Sequence, residues 1–240
     1  APAAMKMALG ENPKRCYNQK KASPMTRMAT AALLREAFYK ARAYGEKKNA
    51  AGAGGEAPEL DMGMECLLEV LRGELPLKIH CHRADDIQTA IRIAEEFGIS
   101  YTLDHCTEGY MMTDVLKAHN ARCILGPILI GRPKIEMKNL SYSGAAVLER
   151  AGIEFALSTD HPETPVQLLN VSAAYLVRNG LSEEAAMTVN AARITGLDGR
   201  IGAVKEGLDA DIVVFDGHPL DVRAKVLMTV INGRVVYGGL

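Results

Sequence analysis

The sequence predicts an α/β fold of parallel strands joined by crossover helices, and three observations carry that expectation. From Leu77 onward, short apolar strands alternate with helical patterns four times, at a spacing of roughly 20 to 30 residues. Three of the strands end in histidine or aspartate: Lys78-Ile79-His80-Cys81-His82, Ser100-Tyr101-Thr102-Leu103-Asp104-His105, and Glu154 through Ser158-Thr159-Asp160-His161. Beyond residue 200 the pattern changes to strands with no helix between them, which predicts a small β appendage beside the α/β body.

At 240 residues the chain can bury a sizeable core, as one large domain or one with a small appendage. A net charge of −1 gives no general attraction to nucleic acid or to an anionic membrane. With 48% hydrophobic and 24% charged residues the composition is that of an ordinary soluble globular protein. The five cysteines (Cys16, Cys66, Cys81, Cys106 and Cys123) are an odd, scattered set without a CxxC pair. They suit reduced thiols in a cytoplasmic protein better than disulfides or a thiolate zinc site. No apolar run is long enough to span a bilayer. The chain opens on Ala1-Pro2-Ala3-Ala4 and moves at once into the strand-like Met5-Lys6-Met7-Ala8-Leu9, so it reads as a piece of something longer.

Taken in order, Gly10-Glu11-Asn12-Pro13 has a turn composition and leads into a basic polar stretch through Lys21. A helix is expected from Ser23-Pro24-Met25-Thr26, with Met28, Ala31, Ala32, Arg35, Phe38 and Tyr39 at helical spacing toward Tyr44. Glu46 to Pro58 is Gly/Ala-rich and reads as a loop, and Leu60 to Leu71 resumes helical periodicity. Strand 77–82 precedes a helix entered at Asp85-Asp86, striped by Ile87, Ala90, Ile91, Ala94 and Phe97 and stopped by Gly98. Strand 100–104 precedes a helix near Tyr110–His119. Strand Arg122–Leu125 precedes a Gly/Pro loop (Gly126 to Pro133), which we assign to an active site, and a helix near Ser143–Ala151. Strand 153–158 leads to helix Val166–Arg178, followed by short helices over Glu183–Val189 and Ala191–Thr195. Ile212–Phe215, Val226–Ile231 and Arg234–Tyr237 are strands, the last two joined by Asn232-Gly233, a type I′ hairpin composition.

In α/β architectures the working residues gather at the C-terminal ends of strands. Side chains alternate along a strand, so His80 and His82 share one face while Ile79 and Cys81 share the other. Imidazoles and a carboxylate suit zinc or a similar divalent ion, which brings the pKa of bound water to about 7. Asp160 could both ligate such an ion and take the proton. One histidine alone is more often structural, but three successive strand ends of this chemistry outweigh that base rate.

At these residues the chain resembles the C-terminal part of a metal-dependent amidohydrolase, in the branch similar to imidazolonepropionases and related cyclic-amide hydrolases and peptidases. The matching pieces are Ile79-His80-Cys81-His82, Leu103-Asp104-His105 and Ser158-Thr159-Asp160-His161, at the fifth, sixth and eighth barrel strands. In the tail they are Thr188-Val189-Asn190-Ala191-Ala192-Arg193, Gly202 through Gly207-Leu208-Asp209-Ala210-Asp211, and Val214-Phe215-Asp216-Gly217. The resemblance implies a TIM-type (β/α)8 barrel of which strands four to eight are present, over residues 1–199. Residues 200–240 would then supply C-terminal strands of a small β-sandwich domain. It implies His80, His105 and Asp160 as metal-site residues, Asp160 also as proton shuttle, and His82 and His161 at the substrate, His161 alternatively capping the next helix.

The family's further His-x-His pair has no counterpart, because no histidine precedes residue 80. Glu11, in the turn after the fourth barrel strand, is the remaining ligand candidate, preferred over Lys6. Asp104 either orients His105 or simply ends its strand. Cys81 is expected to face the helix layer. The expected cofactor is a divalent metal, zinc ahead of iron, manganese or nickel. The expected activity is hydrolysis of an amide or cyclic-amide C–N bond by metal-activated water, with Asp160 and His82 as catalytic residues. The alternatives are a deaminase on the same scaffold, disfavoured because Cys81-His82-Arg83 offers no carboxylate after the fifth-strand histidine, and a catalytically silent chain that binds only metal or a partner. A small-molecule substrate is expected, without nucleic acid or membrane, together with homo-oligomerisation or association with a missing N-terminal part.

Overall fold

Ile79 and Leu103 are fully buried, and the strands that carry them pair in parallel, which fixes the centre of the α/β architecture. A computed structural model describes residues 3–52, 54–182 and 187–239. The chain forms two compact units, Ala1–Cys106 with Lys134–Met137, and Thr107–Pro133 with Lys138–Leu240.

In the first unit, β1 (Met5–Ala8), β2 (Leu77–Cys81) and β3 (Tyr101–His105) are parallel with β2 in the middle, Met7 beside Ile79 and Ile79 beside Leu103. Helices α1 (Glu11–Gln19), α2 (Arg27–Gly52), α3 (Met62–Leu71) and α4 (Ala84–Glu96) complete it. The apolar stripe of α4 is buried as its spacing predicts, with Ile87, Ala90, Ile91, Ile93 and Ala94 out of water. Gly98 ends the helix at φ +67°. Its N–H donates to Glu95 O and that of Ile99 to Ala94 O. That is a Schellman closure, which needs a left-handed residue where Gly98 stands. Cys81 is fully buried, with its thiol on the carbonyl of Ile79.

Two stretches differ from their sequence-based description. Glu11–Gln19 is a helix rather than a turn and a loop. Pro13 lies in its first turn, where a missing N–H costs nothing because those donors have no intrahelical partner. In the Ala-rich stretch expected to be a loop, α2 continues to Gly52, since alanine has the highest helix propensity of any residue. Lys48 Nζ and the Tyr44 hydroxyl, 2.5 and 2.7 Å from Glu65 Oε1, tie that extension to α3.

In the second unit, α5 (Thr113–Ala118), α6 (Gly144–Arg150), α7 (Leu169–Arg178) and α8 (Val189–Ile194) accompany a parallel pair, β4 (Cys123–Leu125) and β5 (Phe155–Leu157). An antiparallel sheet follows, of β6 (Ile212–Phe215), β7 (Val226–Ile231) and β8 (Arg234–Gly238), with β7 central. The β7–β8 turn has φ +50° at Asn232 and +73° at Gly233, both positive as a type I′ turn requires. The helix expected over Glu183–Val189 falls mostly on residues 183–186, outside the described residues. Gly126, at φ +135°, passes so close to the end of β5 that a Cβ there would stand 1.8 Å from the Ser158 carbonyl oxygen. Among the described residues no helix is long and apolar enough to cross a membrane, and none of the five cysteines is in a disulfide.

Because Ile79 is sealed on both sides by parallel neighbours, Ile79→Ala is expected to cost about 2–5 kcal/mol of stability. Urea unfolding followed by circular dichroism measures the loss.

Candidate metal centre

The alternation of β2 sends His80 and His82 to one face. Register sets Cys81, not His80, beside His105, so unbroken alternation would put the His105 ring on the opposite face. The backbone corrects this. His105 and Cys106 have φ of +73° and +46°, two successive left-handed residues of a kind that non-glycine side chains adopt only where the surroundings enforce it. The three rings meet: His105 lies 4.5 Å from His80 and 4.6 Å from His82, centroid to centroid, and His80 lies 4.9 Å from His82. All three are buried, and one ligand nitrogen from each falls within 4.8 Å of the others.

Glu136 faces this cluster. It sits in a single 3-10 turn, Ile135–Met137, where the chain returns to the first unit, and its side chain is fully buried. The start of α1 grips it at both ends: Glu11 N–H donates to Glu136 Oε2 at 2.8 Å, and Glu136 N–H donates to Glu11 Oε1 at 3.1 Å. Gly10 makes that approach possible, since a Cβ there, at φ +75°, would stand 2.4 Å from Glu136 Oε2. Behind it, Arg27 Nε donates to both oxygens of Asp86 at 3.0 Å, with Nη2 4.0 Å from Glu136 Oε2.

The electrostatics leave a ready donor set. Burial pushes the Glu136 carboxyl up, but the facing His80 imidazole, the Glu11 N–H and His82 together outweigh it, and the pKa falls to about 2. Burial, reinforced by His105 and His80, pushes His82 down to about 3, so its ring is neutral. Burial likewise raises the Asp86 carboxyl despite Arg27. The His80 Nε2 atom is buried without a hydrogen-bond partner. Three imidazoles converging on a point where the His80 ring nitrogen has no hydrogen-bond partner fit a divalent cation.

The remaining candidates fall elsewhere. The Glu11 carboxylate is engaged on the backbone of Glu136, and neither glutamate falls within the group of ligand atoms, all within 4.8 Å of one another, that the three imidazoles form. Lys6 reaches Asp104 at 2.5 Å, and Lys78 Nζ lies 3.1 Å from the same carboxylate. Asp104 is therefore an ion-pair residue on β3; burial raises its pKa, but the two lysines lower it further. Asp160 and His161 belong to the second unit, both exposed after β5. Asp160 is left-handed at φ +50°, its N–H donating to Ser158 Oγ at 3.0 Å. His161 Nδ1 accepts from the N–H of Val166 at 3.3 Å, the capping role open to it. Sequence reasoning missed Glu136; its one available clue was a lone acid just beyond the Gly/Pro loop (Gly126 to Pro133) assigned to an active site.

The neutral His82 makes a pH prediction. An unfolded histidine titrates near 6.5 whereas folded His82 does so at about 3. The unfolded chain therefore binds the extra proton first, and stability present above 6.5 is lost as pH falls toward 3. For chelator-treated protein, the urea midpoint is expected to drop by up to about 1.4 kcal/mol equivalent per pH unit in that window. His82→Asn should flatten the slope.

Parallel strands ending in a buried imidazole cluster define an α/β protein equipped for a divalent ion. The chain belongs to the amidohydrolase family, whose profile matches residues 3–236. It is 44% identical to an amidohydrolase of known crystal structure from Thermotoga maritima, at a TM-score of 0.95, over 99% of this chain and 63% of that one. It is 29% identical to the amidohydrolase tasK of Hapsidospora irregularis over 97% of this chain and 25% of that protein. It is also 29% identical to the imidazolonepropionase of Maricaulis maris over 68% of this chain and 41% of that protein. The chain thus spans a quarter to under two thirds of these relatives.

Proposed function

We propose that this chain supplies the metal-holding part of a hydrolase acting on amide or cyclic-amide C–N bonds, in the manner of the imidazolonepropionase it resembles. The observation that carries this is the meeting of His80, His82 and His105 at the ends of β2 and β3, with the bare His80 Nε2 among them, in an amidohydrolase chain. The parallel strands are then part of a (β/α)8 barrel, and β6 to β8 part of a β-sandwich. Three parallel strands with intervening helices, and a separate antiparallel sheet, support that assignment.

His80 and His105 hold the ion, zinc first among the candidates. The place of His82 in the same cluster supports it as a third imidazole ligand rather than a group for the substrate carbonyl. When bound, the ion supplies the Lewis acidity that polarises a carbonyl and acidifies water. Asp160 takes a proton from the attacking water on its carboxylate and returns it to the leaving nitrogen. Its exposed position at the end of β5 and its likeness to the family's strand-eight aspartate support that role. His161 borders the substrate.

The test is zinc-loaded protein incubated with cyclic amides, N-acyl amino acids and dipeptides, with products read by mass spectrometry. Addition of water across a C–N bond without ammonia release is expected. Ammonia release would indicate a deaminase, and no turnover on any of these would overturn the proposal.

A further inference from the structure

We propose that Glu136 is itself a ligand of the metal, completing with one carboxylate oxygen a site that otherwise offers only imidazoles. This rests on the reading of the histidine cluster as a metal centre and adds to it a residue from a different part of the chain. The two oxygens of Glu136 are treated differently. Oε2 accepts from the Glu11 N–H at 2.8 Å and lies 4.0 Å from Arg27 Nη2. Oε1 is buried with no hydrogen-bond partner. It faces His80 Nε2 at 3.6 Å and His82 Nε2 at 3.8 Å, beyond hydrogen-bond length.

The separation from His80 is that of two ligands on a shared cation, and the one from His82 lies slightly beyond it. Ligand atoms about 2.0–2.2 Å from a tetrahedral ion stand roughly 3.3–3.6 Å from each other. A carboxylate serving only the fold would turn both oxygens to donors, and donors are near. Lys134 Nζ stands 3.9 Å from Oε1 but donates to Asn12 Oδ1 at 2.9 Å. Arg27 gives its Nε to Asp86, and its Nη2, buried without a hydrogen-bond partner, stands on the Oε2 side of the carboxylate at 4.0 Å. The buried negative charge of Oε1 is thus left for the space in front of the imidazoles. The surrounding backbone is shaped to keep it there, through Gly10, where any side chain would strike the carboxylate, and through the reciprocal Glu11 hydrogen bonds.

The experiment compares the full chain with Glu136→Gln and His80→Asn, each stripped by chelator. Zinc affinity is read by competition with a chromophoric chelator, and ligation by the visible spectrum of added cobalt(II). Glu136→Gln is expected to weaken zinc by about 100-fold or more, at least the top of the range for outer partners of metal ligands, and to change the cobalt spectrum. A loss of zinc affinity smaller than about 100-fold, within the range of an outer partner, with the cobalt spectrum unchanged while His80→Asn loses the metal, would overturn the proposal and leave the metal centre standing. Failure of the unmodified chain to bind zinc or cobalt would overturn both. Should Glu136→Gln not fold, infrared difference spectra of the unmodified chain and of Glu136→Asp decide. A zinc-displaced carboxylate band that shifts or is lost in Glu136→Asp supports Glu136 as ligand, and an identical zinc difference spectrum in both overturns it.

Discussion

Replacing His80 by asparagine is expected to strip the protein of bound metal and to lower kcat/KM for amide hydrolysis by about a thousand-fold. The magnitude follows from the several kcal/mol that a bound ion contributes through Lewis acidity, at about 1.4 kcal/mol per decade of rate. His80 is the residue of choice because it neighbours both other rings, presents the bare Nε2 and faces Glu136. Asparagine is smaller and polar, so the buried strand end stays hydrogen-bonding without reaching the ion. Elemental analysis of the purified variant, read beside kcat/KM and far-ultraviolet circular dichroism, checks the expectation. A folded variant that keeps its metal and its rate would remove His80 from the site.

The second large effect is at Asp160. Asp160→Asn is expected to lower kcat by about 10²- to 10⁴-fold, the usual contribution of a general acid–base residue, with zinc content kept by the imidazoles. Asparagine isolates the chemistry. At φ +50° a β-branched or bulky side chain would strain the backbone, whereas aspartate and asparagine both tolerate the left-handed region. The backbone N–H contact to Ser158 Oγ is likewise indifferent to the change. Steady-state kinetics with parallel metal analysis measures it. An unchanged kcat would take the proton-transfer role from Asp160.

What the sequence made legible was whatever repeats with a period. The i, i+2 spacing of His80 and His82, the 3.6-residue stripe of α4 and the Asn232-Gly233 turn each follow from local geometry; the stripe and the turn stand as expected, and the two rings meet although β2 ends at Cys81, one residue before His82. The features that escaped have no period to read. Helix α1 buries no residue, so it carries no apolar stripe. The final turns of α2 are spelled in alanine, which scores as loop by complexity and as helix by propensity. The inward turn of the His105 ring depends on a backbone reversal that alternation cannot express. Glu136 lies 31 residues beyond His105 in a one-turn segment, and only a long-range return of the chain makes it a neighbour of the imidazoles.

That return has a consequence for biosynthesis. The chain leaves the first unit after Cys106 and rejoins it only at Lys134–Met137, and the reciprocal pair joining Glu11 to Glu136 spans 125 residues. On a ribosome adding about 5–20 residues per second, the three histidines emerge seconds before the carboxylate that faces them. A nascent chain that has emerged only as far as residue 106 presents the imidazoles without Glu136, and the finished pocket closes only after residue 137 has cleared the exit tunnel. Ion capture that depends on Glu136 therefore waits for residue 137 to emerge, with such long-range closure also slowing refolding from denaturant.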